Sequence, residues 1–73
     1  MKLNTVSVIE EVSNSILKLA SFKDDDEGNK EAEKLFWECA LENGAKKHTK
    51  AVLLEDGYFV VGTYKLFLTH STN

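Results

Sequence analysis

This chain of 73 residues has a single cysteine, Cys39. One thiol cannot form an internal disulfide, so a domain this short must be stabilised by packing alone. Surface scaling allows such a chain to bury about 60% of the surface that its unfolded form exposes. We therefore expect one small domain covering residues 1–73, for which oligomerisation is a common remedy. The lack of disulfides also suits the cytoplasm.

The charged residues argue against nucleic acid as a partner, and the apolar residues argue against a membrane. All nine basic residues are lysines, and the net charge is −3. Arginine supplies the bidentate contacts on which sequence-specific recognition of DNA and RNA depends, so its absence argues against a nucleic-acid reader. No apolar run approaches the ~20 residues that span a bilayer, and the first residues lack the pattern of a signal peptide. We expect no membrane association and a cytoplasmic location.

Two helices are predicted in the first part of the chain. Ser7 followed by Glu10 has the spacing of a capping box, with Thr5 as a rival cap. The first helix begins there and ends near Ser21 or Phe22. Its apolar stripe consists of Val8, Ile9, Val12, Ile16, Leu19 and Ala20.

The second predicted helix has the stronger signals. Acidic residues 24–27 place negative charge at its start, and two lysines follow its end. Asn43 and Gly44 mark the stop, since glycine suits the left-handed position after a last turn. The residues at helical spacing are Ala32, Leu35, Phe36, Cys39, Ala40 and Asn43. The short link around residues 22–28 predicts an antiparallel helical hairpin.

After the second helix the apolar period changes to two. Residues 51–55 are predicted as a strand, Asp56-Gly57 as a two-residue type I′ turn, and Tyr58 onward as the returning strand. The resulting register pairs Glu55 with Tyr58, Leu54 with Phe59, Leu53 with Val60 and Val52 with Val61.

Gly62-Thr63 interrupts the returning strand. A bulge there gives one long bent strand, whose residues 64–69 need another partner, either residues 2–6 or a second chain. A tight turn instead gives a three-stranded meander of residues 50–55, 58–61 and 64–69. We prefer the bulge. Both alternatives give an α+β domain in which two antiparallel helices precede a β-hairpin or a three-stranded antiparallel meander, in α-α-β-β order.

The predicted architecture has more apolar residues than its single core needs. On the second helix Trp37 and Leu41 lie well away from the main stripe. Both faces of the predicted hairpin are apolar, whereas two helices can cover only one face of so small a sheet. The surplus predicts a surface for a homodimer or for a partner protein. Its residues are Trp37, Leu41, Val52, Leu54, Phe59, Val61 and Phe67. In the alternative interpretation, loops and bent strands wrap the core more fully.

No arrangement of residues points to catalysis or to a cofactor. Cys39 lies on the apolar stripe of its helix, where burial makes a thiol inert. His48 and His70 have no zinc spacing with it, and the acidic run at residues 24–27 does not fit the EF-hand pattern. We therefore expect no enzyme activity, no cofactor and no metal.

Two further functions remain open beside protein binding. The first is a nucleic-acid-associated regulator, for which the candidate phosphate contacts are Lys46, Lys47, Lys50 and Lys65. The second is an oligomer that sequesters a small ligand, such as a nucleotide, in a pocket at the dimer seam.

The end of the chain resembles the hairpin ends of small accessory proteins of large tailed phages. The resemblance is carried by Glu55-Asp56-Gly57-Tyr58-Phe59-Val60-Val61-Gly62-Thr63-Tyr64 and Thr69-His70-Ser71. The short length, the use of Lys and Asn in place of Arg, and the absence of Pro are also similar to products of A/T-rich phage genomes. The resemblance implies an early protein that acts in the host cytoplasm and inhibits or modulates a host factor. Examples of such a factor are a defence system, a nuclease and a transcription component.

Overall fold

The structure is a computed structural model that describes residues 4–72. Four antiparallel strands form one sheet in the order β2-β1-β4-β3, and two helices lie between β2 and β3 in the chain. The elements are β1 (Asn4–Val12), β2 (Ser15–Lys23), α1 (Asp26–Glu42), a 3-10 turn (Lys47–Thr49), α2 (Lys50–Asp56), β3 (Tyr58–Val61) and β4 (Tyr64–Thr72).

The first predicted helix is wrong, because residues 4–23 form the β1–β2 hairpin. Val12 pairs with Ser15 across a two-residue turn, and Ser13 and Asn14 have φ angles of +53° and +66°. Two residues with positive φ make a type I′ turn, whose twist matches that of the strands. Many apolar residues here are β-branched, which favours strands, and the small polar residues placed inside the predicted helix form the turn.

The second predicted helix is present as α1. Asp25 caps it, since the Asp25 carboxylate accepts a hydrogen bond of 2.7 Å from the Gly28 backbone N–H. Asn43 is the C-cap, and Gly44 follows with a φ of +103°. The helix packs on one face of the sheet. The buried core consists of Val6, Val8, Ala32, Phe36, Cys39, Ala40, Tyr64, Leu66 and Leu68.

The predicted strand at residues 51–55 is also wrong, because Lys50–Asp56 form the short helix α2. Gly57, with a φ of +78°, ends this helix in the left-handed conformation, and its N–H bonds to the Leu53 carbonyl. The predicted type I′ turn at Asp56-Gly57 and the register built on it therefore do not form. Lys, Ala, Leu and Glu are good helix formers, and a run this short fits either period.

Gly62-Thr63 is a tight turn and not the preferred bulge. Val61 pairs directly with Tyr64, and Gly62 has a φ of +57°, as the first position of a type II′ turn requires. Residues 58–61 and 64–72 are therefore separate strands. Besides β3, β4 pairs with β1. Residues 64–69 lie opposite residues 7–12, with Val8 opposite Leu68, and not opposite the suggested segment 2–6. Of the partner segment suggested for the bent strand, residues 2 and 3 lie outside the described residues.

The predicted α-α-β-β order is therefore wrong, although the domain is α+β with an antiparallel sheet. The order is β-β-α-α-β-β, and the sheet has four strands. Leu53 and Leu54 of α2 pack against the same core as α1, so both helices lie on one face of the sheet. In residues 4–72, neither helix is long and apolar enough to cross a bilayer.

Candidate binding surface

Alternate side chains of the sheet point away from both helices, and we call this side of the sheet the open face. Ile9 on β1 is paired with Leu19 on β2 and, on its other side, with Phe67 on β4. Phe67 is in turn paired with Tyr58 on β3. Directly paired residues of antiparallel strands point to the same face with Cβ atoms about 5 Å apart. These four residues form a continuous apolar row across the sheet.

The apolar row is accessible to solvent. Leu19 is 57% exposed and Tyr58 is 52% exposed, while Ile9 and Phe67 on the central strands are half-buried by their neighbours. A sheet face in contact with water ordinarily carries polar side chains. Four apolar side chains in one row, two of them aromatic, are instead typical of a binding surface.

A second row of the open face lies nearer the β1–β2 turn and carries two opposite charges. Glu11 on β1 is paired with Lys65 on β4. Outside them lie Ile16 on β2, which is 64% exposed, and Val60 on β3, which is 50% exposed. This charged row therefore has one acid and one base at the centre of the sheet and an apolar residue at each edge.

On the other side of the apolar row the open face carries hydroxyl groups. Ser7 on β1 is paired with Ser21 on β2 and with Thr69 on β4. The Ser7 and Ser21 hydroxyls are hydrogen-bonded at 2.9 Å. Short uncharged side chains can be covered by a partner at little cost, provided that their hydroxyls stay bonded.

The structure divides the predicted binding surface between several places. Trp37, Leu54 and Phe59 pack against the core, and Phe59 makes an edge-to-face contact with Tyr64 at 6.5 Å between ring centroids. Phe67 lies on the open face. The remaining three are the half-buried Leu41 and the exposed Val52 and Val61.

The division follows from the tight turn at residues 62–63. Because Val61 pairs with Tyr64, Phe59 and Val61 point toward the helices, while Val60 shares the open face with Phe67. Sequence reasoning missed Ile9 and Leu19, which it had assigned to the stripe of the first helix. The signal that could have found them is the β-branched composition around a Ser-Asn turn.

A groove lies between α1 and α2 beside the indole of Trp37. Its volume is about 250 Å³. Lys30 and Lys34 of α1 line it together with Lys50 of α2. Two acids and one apolar residue complete the lining, namely Glu33, Glu38 and Leu54. The groove therefore combines an aromatic side chain with three positive and two negative charges.

The predicted lysine cluster does not form one basic surface. Lys50 lines the groove on the helix side of the domain, while Lys65 lies on the open face of the sheet. Lys46 and Lys47 are exposed in and beside the 3-10 turn. A nucleic-acid backbone is best followed by charges on a single face, so this arrangement argues against that function.

A small group of titratable side chains lies between α1 and the sheet. The Tyr64 hydroxyl donates a hydrogen bond of 2.8 Å to the Glu10 carboxylate, and the Cys39 thiol donates one of 3.5 Å to the same carboxylate. Burial, together with the charge of Glu10, raises the pKa of the Cys39 thiol to about 11. Burial and the hydrogen bond to Glu10 also raise the pKa of the Tyr64 hydroxyl. Both groups therefore stay protonated at neutral pH, which leaves the thiol without nucleophilic character.

The histidines lie apart from this group. His70 is exposed on β4 and its Nε2 lies 3.0 Å from the Asn29 side-chain oxygen, while His48 is exposed in the 3-10 turn. Within residues 4–72, no three His, Cys, Asp or Glu side chains are placed to hold a metal ion.

Comparisons with protein-family models, with curated proteins and with solved structures find no match.

Proposed function

We propose that this chain is a small non-catalytic protein-binding protein that acts by covering a surface of its partner with the open face of the sheet. The apolar row of Leu19, Ile9, Phe67 and Tyr58 is the observation that carries the proposal. It runs across all four strands, on the face opposite the helices. Its aromatic members are of the kind that contribute most to binding energy at protein interfaces.

The surroundings of the apolar row also suit a protein partner. Hydroxyl groups flank it on one side, and Glu11 and Lys65 flank it on the other. An apolar centre with a polar rim is the usual anatomy of an interface between proteins. The rim charges orient the partner more than they add affinity.

The state of the buried side chains supports a non-catalytic role. Cys39 and Tyr64 both bond to Glu10 between helix and sheet, and their raised pKa values keep them protonated at neutral pH. A general base or nucleophile needs a pKa near the working pH and access to a substrate. The resemblance to phage accessory proteins favours a host factor as the partner.

Affinity capture from a bacterial host, followed by binding measurements with the purified captured protein, tests the proposal. Phe67→Thr keeps a strand-forming residue while removing the central ring, and we expect it to weaken binding at least ~10-fold. Val52→Thr is the matched control, because Val52 is exposed on α2, far from the open face. Equal affinities for the wild type and Phe67→Thr would refute the role of this face.

A second candidate function is favoured by the groove beside Trp37. Three lysines outnumber two glutamates in its lining, beside an indole, and this suits a small anionic aromatic ligand. The groove volume of about 250 Å³ limits the size of that ligand. Thermal unfolding with and without adenosine monophosphate tests this function, since a ligand that binds the folded state raises the melting temperature. We expect a rise that Trp37→Leu abolishes, and no rise would exclude this nucleotide as the ligand.

A further inference from the structure

We infer that the open face binds a second copy of this chain, in a two-fold symmetric dimer whose axis runs parallel to β1 and β4 and lies between the two sheets. The inference rests on the proposed function, because it uses the same face. A second copy covers this face in the free protein, and a partner protein competes with that copy for it. In this arrangement β1 of one copy faces β4 of the other, and β2 faces β3. The result is a sandwich of two sheets with the helices on its outer sides.

The size of the open face is sufficient for such a dimer. Strands about 4.8 Å apart that rise about 3.4 Å per residue give a four-stranded face roughly 20 Å by 30 Å. Its accessible area approaches the ~800 Å² that each partner buries in an interface of standard size. The face makes up one broad side of a domain measuring 39 × 28 × 16 Å. A monomer leaves this side in contact with water.

The two charges of the charged row are self-complementary about this axis. Glu11 and Lys65 are neighbours on the two central strands. A two-fold axis that runs parallel to these strands and passes between them places Glu11 over the partner's Lys65 and Lys65 over the partner's Glu11. Two opposite-charge pairs form, one on each side of the axis. An axis perpendicular to the strands would instead place both charges over the partner's hydroxyl groups.

The apolar residues are matched by the same rotation. Ile9 faces the partner's Phe67, and Leu19 faces the partner's Tyr58. At the exposed ends of the charged row, Ile16 faces the partner's Val60 and Val60 faces the partner's Ile16. Each copy contributes a large aromatic ring opposite a smaller aliphatic side chain, so the two layers can interdigitate. Ser7 faces the partner's Thr69, where a bridging water can bond to both hydroxyls.

Sedimentation equilibrium and charge-reversal variants test the dimer. We expect the wild type to dimerise at micromolar concentrations and Phe67→Thr to remain monomeric with an unchanged far-ultraviolet circular dichroism spectrum. Glu11→Lys gives the charged row two positive charges, and Lys65→Glu gives that row two negative charges. Each variant alone should dimerise roughly tenfold more weakly than the wild type, because like charges then meet across the interface. Glu31→Lys changes the same charge on the exposed side of α1 and should have no effect.

Mixing the two charge variants separates contacts between copies from contacts within one chain. Glu11 and Lys65 are also neighbours within the chain, so each variant carries a like-charge pair on its own sheet. Mixing leaves those pairs unchanged but places opposite charges across a mixed dimer. We expect the mixture to form a heterodimer with near wild-type affinity, visible by native mass spectrometry.

A wild-type chain that stays monomeric at millimolar concentration would overturn the dimer. The proposed function would survive that result if Phe67→Thr still weakened binding to a captured partner. If both charge variants dimerise as tightly as the wild type, the arrangement about this axis is wrong. A mixture that shows no preference for the heterodimer would do the same.

Discussion

Replacing Gly28 with alanine distinguishes this fold from the helical hairpin that the sequence pattern predicts. Gly28 lies in the first turn of α1, and the chain that leaves β2 passes directly against it. A Cβ atom added at Gly28 would lie 1.7 Å from the Lys23 carbonyl oxygen and 2.8 Å from its carbon. Two backbone hydrogen bonds hold the segment that contacts Gly28 in place. The Asp24 N–H bonds to the Asn4 carbonyl, and the Asp25 N–H bonds to the Lys23 carbonyl.

The sign of the effect depends on this contact. In a helix free of such a contact, Gly28→Ala stabilises the protein by about 0.5–1 kcal/mol, because glycine loses more backbone entropy than alanine. Here a carbon–oxygen contact needs about 3.3 Å, so the helix must move by roughly 1.5 Å. Such a shift costs about 1–3 kcal/mol in packing and about 1 kcal/mol for the cap on Asp25. We expect a net loss of about 2–3 kcal/mol, out of a total stability of roughly 4–11 kcal/mol.

Urea unfolding followed by circular dichroism measures this loss, and the melting temperature should fall by about 10–20 °C. Gly44→Ala is the matched control, because an added Cβ there meets nothing within 4 Å and only its φ of +103° opposes the substitution. The control should cost about 1 kcal/mol. Wild-type or higher stability of Gly28→Ala would show that β2 does not pass against the start of α1.

Three further predictions follow from the side chains between helix and sheet and from the helix cap. At about pH 8 the Cys39 thiol, whose pKa is about 11, should be ionised about 100-fold less than a thiol with the ordinary pKa of 9.0. Because a more basic thiolate is more nucleophilic, we expect its reaction with a disulfide reagent to be about 10-fold slower, and a rate equal to that of the unfolded chain would contradict this. The free energy of unfolding should fall as the pH rises above about 9, because the unfolded chain releases the Cys39 and Tyr64 protons near pH 9.0 and 10.0 while the folded chain retains them. Urea unfolding at about pH 8 and about pH 10 measures this, and the double variant Cys39→Ala, Tyr64→Phe should lose less stability over the interval than the wild type. Asp25→Ala should lower the free energy of unfolding by about 1 kcal/mol through loss of the bond to Gly28 N–H, whereas Asp25→Asn should keep most of it in thermal melts.

Local signals were sufficient where each of them pointed to the same structure. The acidic start, the apolar spacing and the Asn43-Gly44 stop all predict α1, and the structure forms a helix from Asp26 to Glu42. Residues 58–61 follow the strand period and form β3. In these segments the backbone conformation is set by interactions between residues a few positions apart, which a single sequence displays.

The sequence pattern failed where two periods fitted the same residues. Val8, Val12 and Ile16 lie on one face of a helix, yet Val6 and Val8 also alternate as a strand does, and both are buried in β1. The choice depends on β4, which pairs with β1 from a distance of more than fifty residues along the chain. No local pattern displays such a partner, so propensity was overridden by tertiary pairing.

The candidate surface depended on the same long-range pairing. Phe67 was recognised from sequence as surplus apolar material, but its neighbours Ile9, Leu19 and Tyr58 were not, because they come from three different strands. Register decides which alternate residues share a face, and the tight turn at residues 62–63 sets that register for β3 and β4.

Local patterns were enough to predict the helix that stops at Asn43-Gly44, the strand at residues 58–61 and a surplus of apolar side chains. These properties depend on residue type and on neighbours a few positions apart, so they are visible in the sequence. The folded structure was needed to establish that the first segment is a hairpin, that β1 and β4 are central, and that the surplus forms one row on the open face. Pairing between distant strands settles these features, because it selects among local conformations that differ little in free energy.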